Sequence, residues 1–370
     1  MKRLSAIVLA AASTLYVVSA HAAYQITSMT MTDLGTLGGA ESEGNDVNDG
    51  GHVVGTSYNG AAIRRGFFHA GGVMTDVGAT LGAWPSEARG INNSDQVVGW
   101  WTDAAGMHGY RWQSGLIYPL NPGPPIMSVV ESQAEAIAEN GRIVGQRQYT
   151  DVGFTSATMW TGLAGAFPLD PWSDSGYMSS KVTDVDELGR ATGWSYWSHW
   201  DWVWDYYSPP PFGEPVAPPL PIPAYTYFEA SPNGLHENGA IVGSMRFYKT
   251  VDSNVTIKRA FYWGGVAINS QILGVLPGGN SSWADDVNAQ RFIVGASNFS
   301  ASPLLKPVSY SAFIYHANFG MVALPRGHFS NCYARALSAR NQNGAIYVAG
   351  TCDSAAGKRA VRWNLRVAIV

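Results

Sequence analysis

The sequence predicts an all-β protein made of seven similar units. A short phrase recurs seven times along the chain, and its copies end at Gly55, Gly99, Gly145, Gly193, Gly243, Gly295 and Gly350. The steps between these glycines run from 44 to 55 residues, a period typical of repeat architectures. Each phrase has the pattern of a strand, a tight turn and a second strand. With two further strands per unit, this predicts a seven-bladed β-propeller of four-stranded antiparallel blades.

The elements follow one another in the same order in each unit. The turn of the phrase is rich in Asn, Asp and Gly, which tolerate left-handed backbone, and a β-branched strand follows it. A third strand is predicted at 66–69, 109–112 and 260–263, among other places. A fourth, short apolar element ends in glycines, as at 33–39 and 272–279.

The two ends of the chain resemble two halves of one unit. The chain after residue 22 begins with a fourth element at 32–34, and it finishes on a third element at 362–365. Pairing of the chain termini would complete the last blade, close the ring and remove exposed strand edges. An open solenoid would need polar capping repeats instead. Either the N-terminal strand or the tail 366–370 could supply the closing strand.

The first strand of each unit is expected to lie nearest the propeller axis, where space is tight. Small residues hold one set of positions: Ser42, Ser86, Ser132, Ser180, Ala230, Ser282 and Cys332. The residues after them are larger: Glu43, Glu87, Gln133, Lys181, Ser231, Trp283 and Tyr333. The candidate polar residues of the inner channel are Glu43, Asn45, Glu87, Arg89, Glu135, Asp285 and Arg335. Their alternative role is that of solvated rim residues.

Three motifs together resemble the HAF repeat family of predicted extracellular bacterial proteins. They are D-L-G-x-L-G-G at 33–39, a phrase of the I-N-x-x-G-x-V-V-G type at 90–99 and A-F-x-W at 260–263. The resemblance covers essentially the whole chain after residue 22. It implies an exported repeat protein with a propeller-like fold, and it implies no activity, cofactor or catalytic residue.

Residues 1–22 have the pattern of a secretory signal peptide. Lys2 and Arg3 precede an apolar stretch, and residues 20–22 form an A-x-A cleavage site. The apolar stretch is too short to span a bilayer, so no membrane insertion is expected. Residues 23–370 are then predicted to form a single propeller domain that is secreted or periplasmic.

The net charge argues against one class of partner, and the two cysteines predict a disulfide. The 23 basic and 27 acidic residues give a net charge of −4, which argues against a nucleic-acid partner. Cys332 and Cys352 lie symmetrically about Gln342, the centre of a predicted hairpin turn. A disulfide across two antiparallel strands is therefore expected in an oxidising compartment, and two buried free thiols are the alternative.

The fourth copy departs from the repeat at 194–228, a Trp- and Pro-rich insertion predicted as a loop of blade four. There Trp200, Trp202, Trp204 and Tyr206 alternate with Asp201, Val203 and Asp205. This spacing puts the aromatic rings on one face of a strand. Flat rings beside the carboxylates Asp201 and Asp205 suit sugar rings or a protein partner. Packing against the side of the blade is the alternative role.

No sequence motif indicates a nucleophile, a phosphate loop or a zinc site. The acidic turn at 46–51 could hold calcium, but its acidic residues fade in later copies while its turn residues persist. No cofactor is therefore expected.

The preferred hypothesis is an exported non-catalytic module that binds a carbohydrate or protein ligand. The alternatives are a carbohydrate-active hydrolase or lyase using inner-strand carboxylates, and a structural envelope protein.

Overall fold

The computed structural model describes residues 23–121, 129–149, 155–162, 165–169, 179–197, 200–203, 227–236, 238–248, 256–264, 271–299 and 309–370. In these ranges the chain forms seven separate antiparallel sheets. A 3-10 turn at Ala79–Leu81 accompanies them. The prediction of an all-β chain with seven units in a propeller-like arrangement is confirmed. The predicted signal peptide, 1–22, lies outside the described residues.

The strands follow the repeat. Strand β1 is Tyr24–Asp33, and the first sheet holds β2 (Gly38–Val47), β3 (Val53–Asn59), β4 (Arg64–Ala70) and β5 (Val73–Asp76). The second holds β6 (Ser86–Ile91), β7 (Val97–Asp103), β8 (Gly106–Gln113) and β9 (Leu116–Pro119). The third holds β10 (Val129–Ile137), β11 (Arg142–Tyr149), β12 (Thr155–Thr161) and β13 (Ala166–Pro168).

The remaining sheets continue in the same order. The fourth holds β14 (Ser179–Val185), β15 (Ala191–Trp197) and β16 (Trp200–Val203), and the fifth holds β17 (Tyr227–Leu235), β18 (Ile241–Tyr248), β19 (Thr256–Trp263) and β20 (Gln271–Gly274). The sixth holds β21 (Ser282–Val287), β22 (Ile293–Asn298), β23 (Tyr310–His316) and β24 (Gly320–Ala323). The seventh holds β25 (Asn331–Leu337), β26 (Ala345–Ser354), β27 (Gly357–Ile369) and β1.

The N-terminal strand is the outermost strand of the last sheet. Its register with β27 runs from Tyr24 opposite Ile369 to Asp33 opposite Val361. The sequence left open which terminus would supply this strand, and the structure assigns it to the N-terminus. Strand β2 also packs against β25, β26 and β27, so the first and last sheets of the chain are in contact.

The first strand of every sheet carries a β-bulge at the same place. The register shifts between Gly44 and Asp46 in β2, and equivalent shifts occur in β6, β10, β14, β17, β21 and β25. A bulge puts one extra residue into the strand and bends it locally. Opposite each bulge stands the glycine that ends the repeated phrase. A Cβ on Gly55, for example, would overlap the carbonyl oxygen of Glu43.

In five of the seven sheets, a serine on the first strand forms a hydrogen bond to the sheet before it. The Oγ of Ser86 accepts a hydrogen bond of 3.0 Å from the backbone N–H of Gly66 in the preceding sheet. The same bond, at 2.8–2.9 Å, is made by Ser42, Ser132, Ser180 and Ser282. The small residues predicted for a crowded strand thus also satisfy a buried N–H, which is expensive to leave unpaired.

Apolar side chains fill the space between sheets. Between the first and second sheets, Val54 packs with Ala88, Val97 and Tyr110, all buried. In the seventh sheet Cys332 and Cys352 are direct register partners and form the predicted disulfide, which is therefore confirmed. No helix within the described ranges is long and apolar enough to cross a membrane.

Candidate functional site

The first strands of all seven sheets surround a common cavity. Residues from each of the seven copies line it, among them Val47, Ile91, Ile137, Val185, Leu235, Val287 and Leu337. Its volume is about 260 Å³. The expectation that these strands lie innermost agrees with this shared lining. The polar residues of the same strands are therefore the main candidates for a functional site.

The large residues at the beginning of the inner strands pair with the third strand of the preceding sheet. Lys358 Nζ lies 2.7 Å from Glu43 Oε1, and Arg64 Nη1 lies 2.7 Å from Glu87 Oε1. In the third sheet, the side-chain amide of Gln133 on β10 contacts the sulfur of Met107 on β8 of the second sheet. The carboxylates Glu43 and Glu87 at this level are thus each paired with a cation of the adjoining sheet.

Glu87 is the centre of a buried ion-pair network. Its side chain is only 2% exposed, and Oε2 lies 2.8 Å from Arg89 Nη2. Arg89 Nε lies 3.8 Å from Glu135 Oε2. Burial raises the pKa of Glu135, while the positive charge of Arg89 opposes that rise. The candidates Glu87, Arg89 and Glu135 thus form one network, and Glu87 and Arg89 are engaged in pairs within the protein.

Asn45 links two sheets. Its Nδ2 donates to the backbone oxygen of Ala88 at 2.7 Å, and Asn233 makes the same bond to Ala284 at 2.7 Å. The recurrence of this bond in two sheets indicates a structural role for the position. The candidate Asn45 is therefore held in place by an inter-sheet contact rather than left to meet a ligand.

The fifth, sixth and seventh sheets present a different surface at the same level, which we call the aromatic cluster: Lys258, Trp283, Asp285, Tyr310, Tyr333 and Arg335. The Trp283 and Tyr333 rings stack at 6.2 Å with an interplanar angle of 21°. Tyr310 lies 5.3 Å from Trp283 and 5.9 Å from Tyr333. All three rings are half-buried, so each keeps part of its surface in solvent.

Charged groups border the three rings. Lys258 Nζ lies 4.9 Å from the centroid of the Trp283 ring, within cation–π distance. Arg335 Nη1 lies 3.5 Å from Asp285 Oδ1, and the Arg335 side chain is 52% exposed. Burial raises the pKa of Asp285 to about 6, although Arg335 and Lys258 favour its charged form. Burial lowers the pKa of Lys258 and raises that of Tyr333 to about 12.

Asp184 and Asp286 were not predicted from the sequence, and Asp46 was considered only as part of the possible calcium turn at 46–51. The Asp-Val step at the start of three phrases could have pointed to all three residues. Each carboxylate accepts the N–H of the next residue at 2.7–2.8 Å, and it accepts an N–H of the following sheet at 2.8 Å. Loss of water raises the pKa of Asp46 to about 6 and of Asp184 to about 7. It raises the pKa of Asp286 well above the usual range.

The acidic turn considered for calcium is held by hydrogen bonds within the protein. Asn48 Oδ1 accepts the N–H groups of Gly50 and His52, both at 3.1 Å. Asp49 Oδ1 accepts the N–H of Ala339 at 2.7 Å. Among the described residues, no group of three or more His, Cys, Asp or Glu is arranged to hold a metal ion. The turn oxygens serve the backbone, as the persistence of the turn residues suggested.

The aromatic segment is described only in part. Residues 194–197 complete β15, and residues 200–203 form β16, the third strand of the fourth sheet, within the segment that was predicted as a loop. On β16, Trp200 is opposite Trp197, Asp201 opposite Tyr196 and Trp202 opposite Ser195. The candidates Trp204, Asp205 and Tyr206 lie outside the described residues.

No family model and no curated protein matches this chain. Solved structures resemble it, among them the following three. One is a protein of unknown function from Dyadobacter fermentans, 11% identical, with 94% of this chain and 100% of that chain covered at a TM-score of 0.39. A mutant of AofleA from Arthrobotrys oligospora is 11% identical, with 76% and 87% covered at a TM-score of 0.35. The polysaccharide lyase Uly1 is 9% identical, with 94% and 90% covered at a TM-score of 0.42. At these values the matches bear on neither ligand nor activity.

Proposed function

We propose that this protein is an exported, non-catalytic module that binds carbohydrate at the aromatic cluster. The observation that carries the proposal is the stacked, half-exposed pair of Trp283 and Tyr333, with Lys258 over one ring and Asp285 beside it. Aromatic faces pack against the C–H faces of sugars, and flanking charged groups supply hydrogen bonds to hydroxyls. The cluster offers both within one surface.

The arrangement of the inner-strand carboxylates favours binding over catalysis. A hydrolase or lyase of the alternative kind would need carboxylates that can reach a substrate. Glu43 is paired with Lys358, and the buried Glu87 is paired with Arg64 and Arg89. The pairs of Glu43 with Lys358 and of Glu87 with Arg64 join adjoining sheets, whereas Arg89 lies on the same strand as Glu87. Asp285 is likewise paired, with Arg335, and its side chain is only 10% exposed, so it borders the half-buried rings of the aromatic cluster without being free to act on a substrate.

The scaffold we propose is a closed seven-bladed propeller of the HAF repeat type. The pairing of β1 with β27 and the packing of β2 on the seventh sheet support a closed ring. The repeated phrases support the family. Export is supported by the signal-peptide pattern of residues 1–22 and by the disulfide, because disulfides persist in oxidising compartments. A protein ligand and a structural envelope role are the competing functions.

The test is a tryptophan-fluorescence titration of the purified protein against polysaccharides and cell-wall fragments, with released products assayed in the same wells. We expect a saturable shift without product. Trp283→Ala should weaken binding by about tenfold or more, since it removes the stacking face. Trp84→Ala is the matched control, because Trp84 is 45% exposed and lies outside the cluster.

Three results would contradict this proposal. Product release would favour the enzyme. Equal affinity of Trp283→Ala and the unchanged protein would move the site elsewhere. No binding to any polysaccharide would favour a protein ligand or a structural role.

A further inference from the structure

An arginine in the sixth copy occupies a backbone position that the other copies give mainly to glycine. The turn after the inner strand contains one residue with positive φ in every copy. That residue is Gly51, Gly141, Gly189, Gly239 and Gly344 in five copies, with φ from 73° to 83°. It is Asp95 in the second copy, with φ of 56°, and Arg291 in the sixth, with φ of 64°. A long L side chain is disfavoured there by about 1 kcal/mol or more.

Arg291 lines a cavity that lies apart from the aromatic cluster. The cavity has a volume of about 440 Å³, within the usual range of about 300–1,000 Å³ for small-molecule sites. Its other lining residues include Tyr24, Tyr262, Gln271, Tyr315 and His316. They come from β1, β19, β20 and β23, so the site depends on the N-terminal strand joining the last sheet.

The hydrogen bonds in the cavity fix its polar groups. Gln271 Nε2 donates to the Tyr315 hydroxyl at 3.2 Å. His316 Nδ1 accepts the N–H of Asn318 at 3.2 Å, and Nε2 lies 3.1 Å from the backbone oxygen of Gln290. Nδ1 therefore carries no proton, and Nε2 donates. The His316 ring is accordingly neutral. Burial also lowers the pKa of His316, which disfavours the charged form of the ring.

The charge of the cavity is unusual for this protein. The chain has more acidic than basic residues, yet the cavity lining contains neither Asp nor Glu. Arg291 makes no ion pair with the described residues. Burial raises the pKa of the neighbouring Tyr262, and the positive charge of Arg291 opposes this rise. An anion entering the cavity would meet one guanidinium without a competing carboxylate.

We propose that this cavity is a second binding site, for a sugar acid, in which Arg291 binds the carboxylate. A guanidinium binds a carboxylate through two parallel hydrogen bonds. Three tyrosine rings offer apolar faces and hydroxyls to the sugar ring, and Gln271 offers an amide. The positive φ of Arg291 is then strain kept for function, since glycine would serve the turn better. The site goes beyond the proposed function and shares no residue with the aromatic cluster.

Isothermal titration of the purified protein with D-glucuronate and D-galacturonate tests this site, with D-glucose as the neutral comparison. We expect saturable binding of at least one acid and none of glucose. Arg291→Gly should weaken binding of the acid by about tenfold or more, because it removes a charge-assisted pair. The same variant should raise Tm by about 1–2 °C, because it restores the glycine that the turn favours.

A second variant probes the cavity without touching its charge. Tyr315→Phe keeps the ring but loses the hydrogen bond with Gln271, so it should weaken binding less than Arg291→Gly does. Absence of binding by both acids, equal binding of glucose, or unchanged affinity in Arg291→Gly would each overturn the proposal. Arg291→Gly should leave the polysaccharide titration unchanged, so a failure here is distinguishable from a failure at the aromatic cluster.

Discussion

At the scale of single residues, the glycine that ends each phrase is required by a close approach of two strands. In all seven copies, a Cβ at that glycine would overlap the backbone carbonyl oxygen opposite it on the bulged inner strand. Its φ is not positive, so the requirement is for space and not for left-handed backbone. The glycine that recurs in every copy of the repeat therefore marks the place where the inner strand and the second strand of each sheet come closest.

Gly99→Ala tests this requirement. The added methyl group would meet the Glu87 carbonyl oxygen and the Tyr110 hydroxyl, and relief needs backbone movement. We expect a loss of about 2 kcal/mol or more in the free energy of unfolding, measured by urea denaturation. Gly60→Ala is the control, because a Cβ there meets nothing nearer than 4.0 Å. Equal stability of the two variants would refute the packing argument.

The serine contact between sheets is a second effect at this scale. Ser86→Ala would leave the buried N–H of Gly66 without its partner, and the loss should be about 1–3 kcal/mol. Ser94→Ala, in an exposed turn, should change stability by less than about 0.5 kcal/mol. Thermal and urea unfolding of both variants measure the difference. A Ser86→Ala protein as stable as the Ser94→Ala protein would show that the contact is dispensable.

At the scale of elements, the N-terminal edge strand β1 is expected to stabilise the seventh sheet. It pairs with β27 along its length, and Ile26, Met29 and Met31 pack against the core of the sixth and seventh sheets. Deleting residues 24–33 should uncover the edge of β27 and these apolar contacts. We expect a lower Tm and a tendency to aggregate, measured by calorimetry and light scattering.

Adding back the strand separates loss of pairing from general damage. A peptide of residues 24–33 should restore part of the lost Tm by strand addition, and a peptide of the same composition in shuffled order should not. Equal effects of the two peptides would mean that the pairing of β1 with β27 is not what stabilises the seventh sheet.

The aromatic segment is also an element-scale question. Because 194–197 and 227–228 belong to strands β15 and β17, a clean deletion removes 204–226 only. We expect the far-UV circular dichroism to stay that of a β protein and polysaccharide affinity to stay unchanged, because the deletion removes no residue of the aromatic cluster. Trp204, Asp205 and Tyr206 are removed by this deletion, so a fall in affinity would instead indicate that these residues take part in ligand binding.

At the scale of the whole molecule, buried carboxyl groups should make stability depend on pH. The pKa of Asp46 is raised to about 6, that of Asp184 to about 7 and that of Asp285 to about 6, in each case mainly by burial. The folded state then holds more protons than the unfolded state between the normal and the raised pKa. Stability therefore falls as pH rises through that window.

Thermal unfolding at about pH 5 and about pH 8 measures this effect, and Tm should be higher at the lower pH. Asp184→Asn keeps the shape and one acceptor oxygen but cannot ionise, so it should reduce the difference between the two values. A Tm that rises with pH, or an undiminished difference in the variant, would contradict the assignment to these carboxyl groups.

The sequence by itself determined the number of units, the order of their strands and the disulfide. A fixed period and turn chemistry are local properties, and each copy repeats the same evidence. Cys332 and Cys352 were predicted to face each other because their distance from a turn sets strand register. The small residues of the inner strands were likewise found from their regular spacing.

The tertiary structure was needed to show which terminus completes the last sheet and which side chains are in contact. Glu87 with Arg64, and Trp283 with Tyr333, are neighbours across different sheets, so their contacts depend on how whole sheets are placed. The same holds for the cavity beside Arg291, whose lining joins β1, near the start of the chain, to strands of the fifth and sixth sheets. Spacing along a chain fixes local backbone geometry, whereas a site built between sheets is fixed by packing that no single repeat contains.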